Sequence, residues 1–217
     1  MDDSKQQMGK LVFVRHHESE YNKLGKWTGR VDSHLTPYGV EKAEEMGKLV
    51  GDICFNYAFT SEQIRTIQTF TSFLKNCMAD QNLPVENAAA LNERDYGDYT
   101  GLNKWEVKEK IGDEEFTKIR RGWNQPIPNG ETMKMVYERA VPFYQEKILP
   151  LLKDGKNVLI VSHGNTIRAL LKYIEKISDE DIASLEIGFG SVIILDVDTD
   201  GYEVHKETRQ IESVVNA

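Results

Sequence analysis

Two short apolar runs, far apart in the chain, end in the same way. Leu11-Val12-Phe13-Val14 leads into Arg15-His16-His17-Glu18-Ser19, and Val158-Leu159-Ile160-Val161 leads into Ser162-His163-Gly164-Asn165-Thr166. Each run reads as a short buried strand that delivers a histidine at the mouth of the following loop or helix. In an open parallel sheet, neighbouring strands end on one edge, and ligands bind there. Two histidines distant in sequence can therefore face one pocket. Arg15, directly before the first histidine, points to an anionic ligand.

The rest of the chain is consistent with such a sheet. Its 217 residues suffice for one sizeable core, one domain with insertions. No apolar stretch approaches the roughly 20 residues of a membrane helix, and the first residues lack a signal-peptide core. Residues 1–9 read as a disordered leader before a single domain over 10–217, and the expected location is cytoplasmic. Cys54 and Cys77 form no disulfide framework and lack metal-type spacing, so they read as packed or inert thiols. The net charge of −8 argues against a nucleic-acid partner. It does not argue against small anions, which need only a local cluster of donors.

Strand, loop and helix alternate along the chain. A first strand covers 10–14. Thr36-Pro37 reads as an N-cap with proline at the first helical position, followed by Val40, Ala43, Met46, Leu49 and Val50 at helical spacing. A strand near Tyr57-Ala58-Phe59 runs into Ser61, which is placed to cap a helix with the apolar face Ile64, Ile67, Phe70 and Leu74. Residues 84–92 hold a third strand. From 95 to 130, glycines, charges, Trp105, Trp123, Pro126 and Pro128 replace periodicity, as expected of a lid-like insertion with one or two helices. A long helix over about 131–152, kinked at Pro142, precedes the strand at 157–161 and a helix carrying Ile167, Leu170, Leu171 and Ile174. Ser178-Asp179-Glu180-Asp181 reads as the cap of another helix. Ser191 to Val197 reads as the final strand, and the polar C-terminal residues as a mobile tail. The pattern is α/β: a three-layer α/β/α arrangement with a mostly parallel central sheet, helices on both faces and a lid-like insertion.

Taken singly, the polar residues have plain structural explanations: a histidine bonded to a carbonyl, a solvated helix arginine, a surface glutamate. Together they suggest phosphoryl chemistry. His16 is a candidate nucleophile toward phosphorus, and nearby arginines would both hold phosphoryl oxygens and keep its ring neutral. His163 precedes Gly164-Asn165 at a helix N-terminus, where backbone N–H groups attract phosphate. Arg65 follows Ser61 by about one helical turn. Arg120-Arg121 can clamp a phosphate or carboxylate, and Glu93 is placed to move a proton. A metal site from His16, His17, Glu18 and His163 is disfavoured, because adjacent strand residues point to opposite sides.

These residues resemble the motifs of the histidine phosphatase superfamily and, within it, of the cofactor-dependent phosphoglycerate mutases. The segments that carry the resemblance are Arg15-His16-His17-Glu18-Ser19-Glu20-Tyr21-Asn22, Trp27-Thr28-Gly29-Arg30, Leu35-Thr36-Pro37-Tyr38-Gly39, Thr60-Ser61-Glu62-Gln63-Ile64-Arg65 and His163-Gly164-Asn165-Thr166-Ile167-Arg168. Leu91-Asn92-Glu93-Arg94-Asp95-Tyr96-Gly97, Gly101-Leu102-Asn103-Lys104 and Arg120-Arg121 narrow it to the mutases. The resemblance implies that His16 is phosphorylated in turnover, that Glu93 donates and accepts the proton, and that His163 stabilises the transferring group. Arg15, Asn22, Arg65, Gly164 and Asn165 would hold the phosphate near His16. Thr28, Gly29, Tyr96, Lys104, Arg120 and Arg121 would hold the rest of the substrate. The implied reaction interconverts 2-phosphoglycerate and 3-phosphoglycerate through 2,3-bisphosphoglycerate as cofactor, without a metal, in a homo-oligomer expected to be a dimer.

Three departures from the family pattern stand out. His17 replaces a glycine and is expected to add bulk and charge at the pocket. Ile187-Gly188-Phe189-Gly190 replaces Ile-Pro-Thr-Gly. The stretch after Arg121 is short. These leave two alternatives open: a phosphomonoesterase acting on small phosphorylated metabolites, if the altered pocket admits water, or a non-catalytic phosphate-binding relative.

Overall fold

A computed structural model describes residues 8–80 and 82–212. In chain order, its strands are β1 (Leu11–Arg15), β2 (Cys54–Phe55), β3 (Tyr57–Thr60), β4 (Met78–Ala79), β5 (Val85–Asn87), β6 (Val158–Ser162), β7 (Ser191–Val197) and β8 (Glu203–Gln210). The α-helices are α1 (Glu20–Lys23), α2 (Pro37–Lys48), α3 (Ile64–Phe73), α4 (Lys104–Ile111), α5 (Asp113–Arg121), α6 (Met133–Phe143), α7 (Leu149–Lys153) and α8 (Gly164–Ile174). Six strands form one sheet in the order β5-β3-β6-β1-β7-β8, while β2 and β4 pair separately. The strands β5, β3, β6 and β1 run parallel; β7 is antiparallel to both β1 and β8.

The apolar runs are continuous because both faces of the sheet are covered. Val12, Val14, Ala58, Leu159 and Val161 pack with Met46 and Val50 on the α2 side and Phe70 and Phe73 of α3. Leu11, Phe13, Phe59, Val158 and Ile160 pack with Ala140 and Val141 of α6 and Ile167, Leu170 and Leu171 of α8. The insertion has a smaller core of its own, in which Trp27 meets Val107, Phe116, Ile119 and Ile127. Among the described residues, no helix is long and apolar enough to cross a membrane.

Several local expectations need correction. Of the 1–9 leader, residues 1–7 lie outside the described part, but Gly9 is buried and donates to the Leu152 carbonyl at 2.8 Å. Of the polar tail, residues 213–217 lie outside the described part, but the stretch before them is a strand: β8 closes a hairpin on β7 through the turn at Gly201 (φ +86°). It reads as polar because it is an edge strand, open to solvent along most of its length. The long helix keeps its expected span, with a change of winding just after Pro142. Pro142 and Pro150 lack the N–H an α-helix needs, and between α6 and α7 the chain widens into a π-helical turn over Tyr144–Ile148. The segment after Ser178 makes only a short 3-10 turn, Asp181–Ala183. In α3 the buried residues are Arg65, Thr66, Thr69, Phe70, Ser72 and Phe73, rather than the apolar stripe that includes Ile64 and Ile67. The helix can turn its polar side inward because Arg65, Thr66 and Thr69 donate to backbone carbonyls there.

The two ends of the insertion are pinned together. Asp95 N donates to Glu131 Oε2 at 2.9 Å, Glu131 N returns to the Asp95 carbonyl at 2.9 Å, and Asp98 N reaches the Pro128 carbonyl at 3.0 Å. Gly97, at φ +47°, lies so close that a β-carbon there would collide with the Pro128 carbonyl and the backbone of Asn129 and Gly130. Gly97→Ala is therefore expected to destabilise the fold by about 1–3 kcal/mol. Thermal unfolding should show a midpoint several degrees lower; an unchanged midpoint would mean that the closure yields freely.

Candidate active site

The strand register brings the two histidines together. In the parallel pairing of β1 with β6, Arg15 stands beside Ser162, and His16 N extends the ladder to the Ser162 carbonyl at 2.9 Å. The next residues, His16 and His163, place their rings 5.0 Å apart between centroids. On the other side of β6, Thr60 pairs with Val161, so Ser61 emerges at the same edge. The Ser61 hydroxyl lies 2.8 Å from His163 Nε2 and 2.7 Å from Thr66 Oγ1. Thr66 donates to the Gln63 carbonyl at 2.8 Å, so its oxygen accepts from Ser61. Ser61 must then accept the His163 Nε2 proton. The expected helix cap is thus a histidine partner, and the N-cap position of α3 is Gln63, without a side-chain cap bond.

Hydrogen bonding also fixes the tautomer of His16. Its Nδ1 meets the His17 carbonyl at 2.7 Å, and a carbonyl can only accept, so Nδ1 carries the proton. Nε2 keeps its lone pair, into which Arg65 Nε donates at 3.3 Å. Burial, followed by the charges of Arg65 and Arg15, holds the His16 pKa well below the usual histidine range. Burial and Arg65 do the same for His163. Both rings are neutral at ordinary pH.

A cleft opens above this pair, with about 730 Å³ of empty space including its mouth. It is lined by Arg15, His16, Asn22, Thr28, Gly29, Arg65, Glu93, Tyr96, Lys104, Arg120, Arg121, Gly164 and Asn165. These are all the residues singled out from sequence except His163, which stands beside His16 and is fully buried. Trp27, Arg168, Glu186 and Ile187 complete the lining. Six cations thus face two carboxylates in a chain whose net charge is −8.

These cations differ in their surroundings. Arg65 is tied to the Gly29 and Val31 carbonyls, both at 2.9 Å, and burial lowers its pKa to about 10. Arg15 donates to the Ile187 carbonyl at 2.6 Å, and burial likewise brings it to about 10. Lys104, at the start of α4, is brought to about 8 by burial first and by Arg120 and Arg15 second. Arg121, at the end of α5, pairs with Glu186 at 2.8 Å.

Glu93 is held where its chain can do little but face the cleft. Its N–H donates to Gln63 Oε1 at 2.7 Å. Arg94 N and Asn165 Nδ2 both donate to Glu93 Oε1, at 2.7 and 3.1 Å. Among the described residues these bonds leave Oε2 for a ligand. The Asn165 amide cannot flip without loss, because Arg168 Nη1 donates to its oxygen at 3.0 Å. Nothing marked Arg168 in the sequence except its place in the second-histidine motif. Trp27 had a similar signal, directly before Thr28-Gly29, whereas Glu186 had none.

The altered positions do not act as expected. His17 is fully buried outside the cleft lining, and burial, Arg15 and Lys42 bring its pKa to about 4, so it adds no charge. Phe189 is 6 % exposed and lies against Arg15, which fills the altered stretch with an aromatic ring instead of opening it. Among the described residues, no group of three or more His, Cys, Asp or Glu could hold a metal ion.

The model of the histidine phosphatase superfamily (branch 1) matches residues 11–209. A 2,3-bisphosphoglycerate-dependent phosphoglycerate mutase from Cytophaga hutchinsonii is 46% identical over 83% of this chain and 84% of its own. Another of the same name, from Parvibaculum lavamentivorans, is 39% identical over 91% and 94%. Among solved structures, the α-ribazole phosphatase from Shigella flexneri superposes with a TM-score of 0.75 at 25% identity, covering 94% of this chain and 96% of its own. A mycobacterial glucosyl-3-phosphoglycerate phosphatase gives 0.76 at 20% identity, covering 93% and 97%, and so shares the fold.

Three buried histidines held neutral have a consequence for stability. Each is more easily protonated unfolded than folded, so its contribution is complete above the unfolded pKa of about 6.5. That contribution falls as pH drops through 6.5 toward the depressed folded values, about 4 for His17. By pH 5.5 His17 alone accounts for a loss of roughly 1 kcal/mol, and His16 and His163 add to it in the same direction. Thermal midpoints measured from pH 7.5 to 5 should fall steeply below pH 6.5, and a flat profile would show that the rings titrate in the fold as they do in the unfolded chain.

Proposed function

The chain belongs to the histidine phosphatase superfamily and, within it, to the 2,3-bisphosphoglycerate-dependent phosphoglycerate mutases, and we propose that it interconverts 2-phosphoglycerate and 3-phosphoglycerate through a phosphohistidine at His16. This is a reaction of glycolysis and gluconeogenesis, consistent with a cytoplasmic enzyme. One observation carries the choice of a mutase over a phosphatase. The cleft has two sets of cations: Arg15 and Arg65 beside His16, on β1 and α3, and Lys104, Arg120 and Arg121 on the helices of the insertion. A substrate with anionic groups at both ends needs both sets, whereas a simple phosphomonoester needs one.

The residues also fit a bisphosphorylated cofactor. Arg15 Nε is buried with no partner among the described residues, a donor kept for an anion. When bound, 2,3-bisphosphoglycerate supplies the phosphoryl group that primes His16. The chain does the rest. His16 Nε2 attacks phosphorus as the ester P–O bond breaks, and Glu93 gives its proton to the departing oxygen. In the return step Glu93 takes the proton of the attacking hydroxyl as the N–P bond breaks. Arg15, Arg65 and the α8 N-terminus at Gly164 and Asn165 hold the phosphoryl oxygens, with Asn22 beside them. The proton on His163 Nε2 is committed to Ser61, so its buried Nδ1 is left to gain a proton when an anion arrives and to meet a phosphoryl oxygen. Thr28, Gly29 and Tyr96 frame the remainder of the substrate. The insertion that carries the second cation set acts as the lid that keeps the reorienting intermediate from escaping.

Mutase turnover should rise strongly when 2,3-bisphosphoglycerate is added and should be indifferent to a chelator. Acid-labile phosphate should be trapped on His16. His16→Ala is expected to abolish turnover and Glu93→Gln to reduce it by about 10²–10⁴-fold. Turnover independent of the cofactor, with rapid phosphate release from aryl phosphates, would instead identify a phosphatase.

A further inference from the structure

Behind the wall of the cleft stands a stack that the reaction scheme does not use. The Arg15 guanidinium carbon lies 3.7 Å from the centroid of the Phe189 ring. Phe189 meets the His17 ring at 5.5 Å between centroids, and His17 meets Tyr38 at 5.5 Å. Lys42 Nζ lies 5.6 Å from the Tyr38 ring. Phe189 also meets His16 edge-on, at 6.1 Å. A column of rings thus runs from an arginine of the phosphate cradle to a lysine on α2.

Arg15 is constrained from several directions. The Phe189 ring covers its plane, Nη1 is fixed on the Ile187 carbonyl at 2.6 Å, and Gly164 leaves backbone on another flank, where a β-carbon would lie 3.5 Å from the guanidinium. His17 and Phe189 are the two positions where glycine and threonine are expected from the motifs above, and here they touch. His17 stays neutral at ordinary pH, so it serves the column as an aromatic ring.

We propose that Phe189 is a positioning residue for Arg15 and that His17 is its buttress. The ring face holds the guanidinium against Ile187 and thereby sets how tightly the cradle grips the transferable phosphate. A glycine at 17 would remove the surface that presses Phe189 onto Arg15. The inference rests on the cleft being a phosphate cradle. A cation–π contact shielded from water corresponds to a roughly ten- to thirtyfold change in affinity.

The test measures inorganic phosphate binding to the full chain by calorimetry, with thermal midpoints followed in parallel. Binding by the unaltered protein confirms the cradle; no binding removes that premise and this inference with it. Phe189→Leu should weaken phosphate binding about tenfold or more, while Phe189→Tyr, which keeps the ring face, should stay within about threefold of the unaltered protein. His17→Gly should weaken binding in the same direction, with little further loss when combined with Phe189→Leu. A purely structural role would lower the midpoint and leave phosphate affinity unchanged, and that result overturns the proposal. So would fully additive losses in the double variant. Should Phe189→Leu fail to fold, an unchanged phosphate affinity in His17→Gly overturns it alone.

Discussion

The site depends on one pairing: β1 beside β6, parallel, with Arg15 opposite Ser162. A shift of one residue would turn every side chain of β1 to the other face. It would also separate His16 from His163 and move Arg15 out of the cleft. The register is held by burial on both faces, since Val12 and Val14 fit one core and Leu11 and Phe13 the other. The same hydrophobic alternation that stabilises the sheet therefore aligns His16 with His163. Glu93 reaches this edge by a different route, through the turn that follows β5, and is fixed there by Gln63, Arg94 and Asn165.

Concentrating cations at that edge opposes stability. Buried guanidiniums cost desolvation, which is the leading cause of the lowered pKa of Arg15, Arg65 and Arg168. Backbone carbonyls of Gly29, Val31, Ile187 and Ile182 offset part of this cost. The remainder stays as unsatisfied donor capacity, such as Arg15 Nε and Arg168 Nε. A bound phosphate can satisfy what the chain leaves open. The same crowding keeps His16 neutral with its lone pair available, so the electrostatic cost of gathering these cations and the state of the His16 ring have one origin.

Much of this architecture was legible in the sequence because it rests on local rules. Apolar runs marked β1 and β6, and Thr36-Pro37 marked the start of α2, where Thr36 does accept the Gly39 N–H at 3.0 Å. Features that depend on distant neighbours were not legible. The buried face of α3 departs from its apolar stripe because Arg65, Thr66 and Thr69 are buried with their carbonyl partners, not by hydrophobicity. Ser61 looked like a cap until His163 arrived from the far end of the chain. β8 looked like a tail because an edge strand carries polar residues for its own protection. Arg168 acts through Asn165, and a side chain that orients another side chain leaves no periodic trace.

The substituted motif positions sharpen this last point. Read singly, a histidine in place of glycine and a phenylalanine in place of threonine each look like damage to a pocket. In space they are one feature, since each ring supplies a surface that the other packs against. A glycine at 17 beside Phe189 would leave a void, and a threonine at 189 beside His17 would remove the face on which Arg15 rests. Once one ring is gone, losing the other therefore adds little, as expected when two side chains share one packing site. What the two rings share is the position of the Arg15 guanidinium, which rests on Phe189 as Phe189 rests on His17.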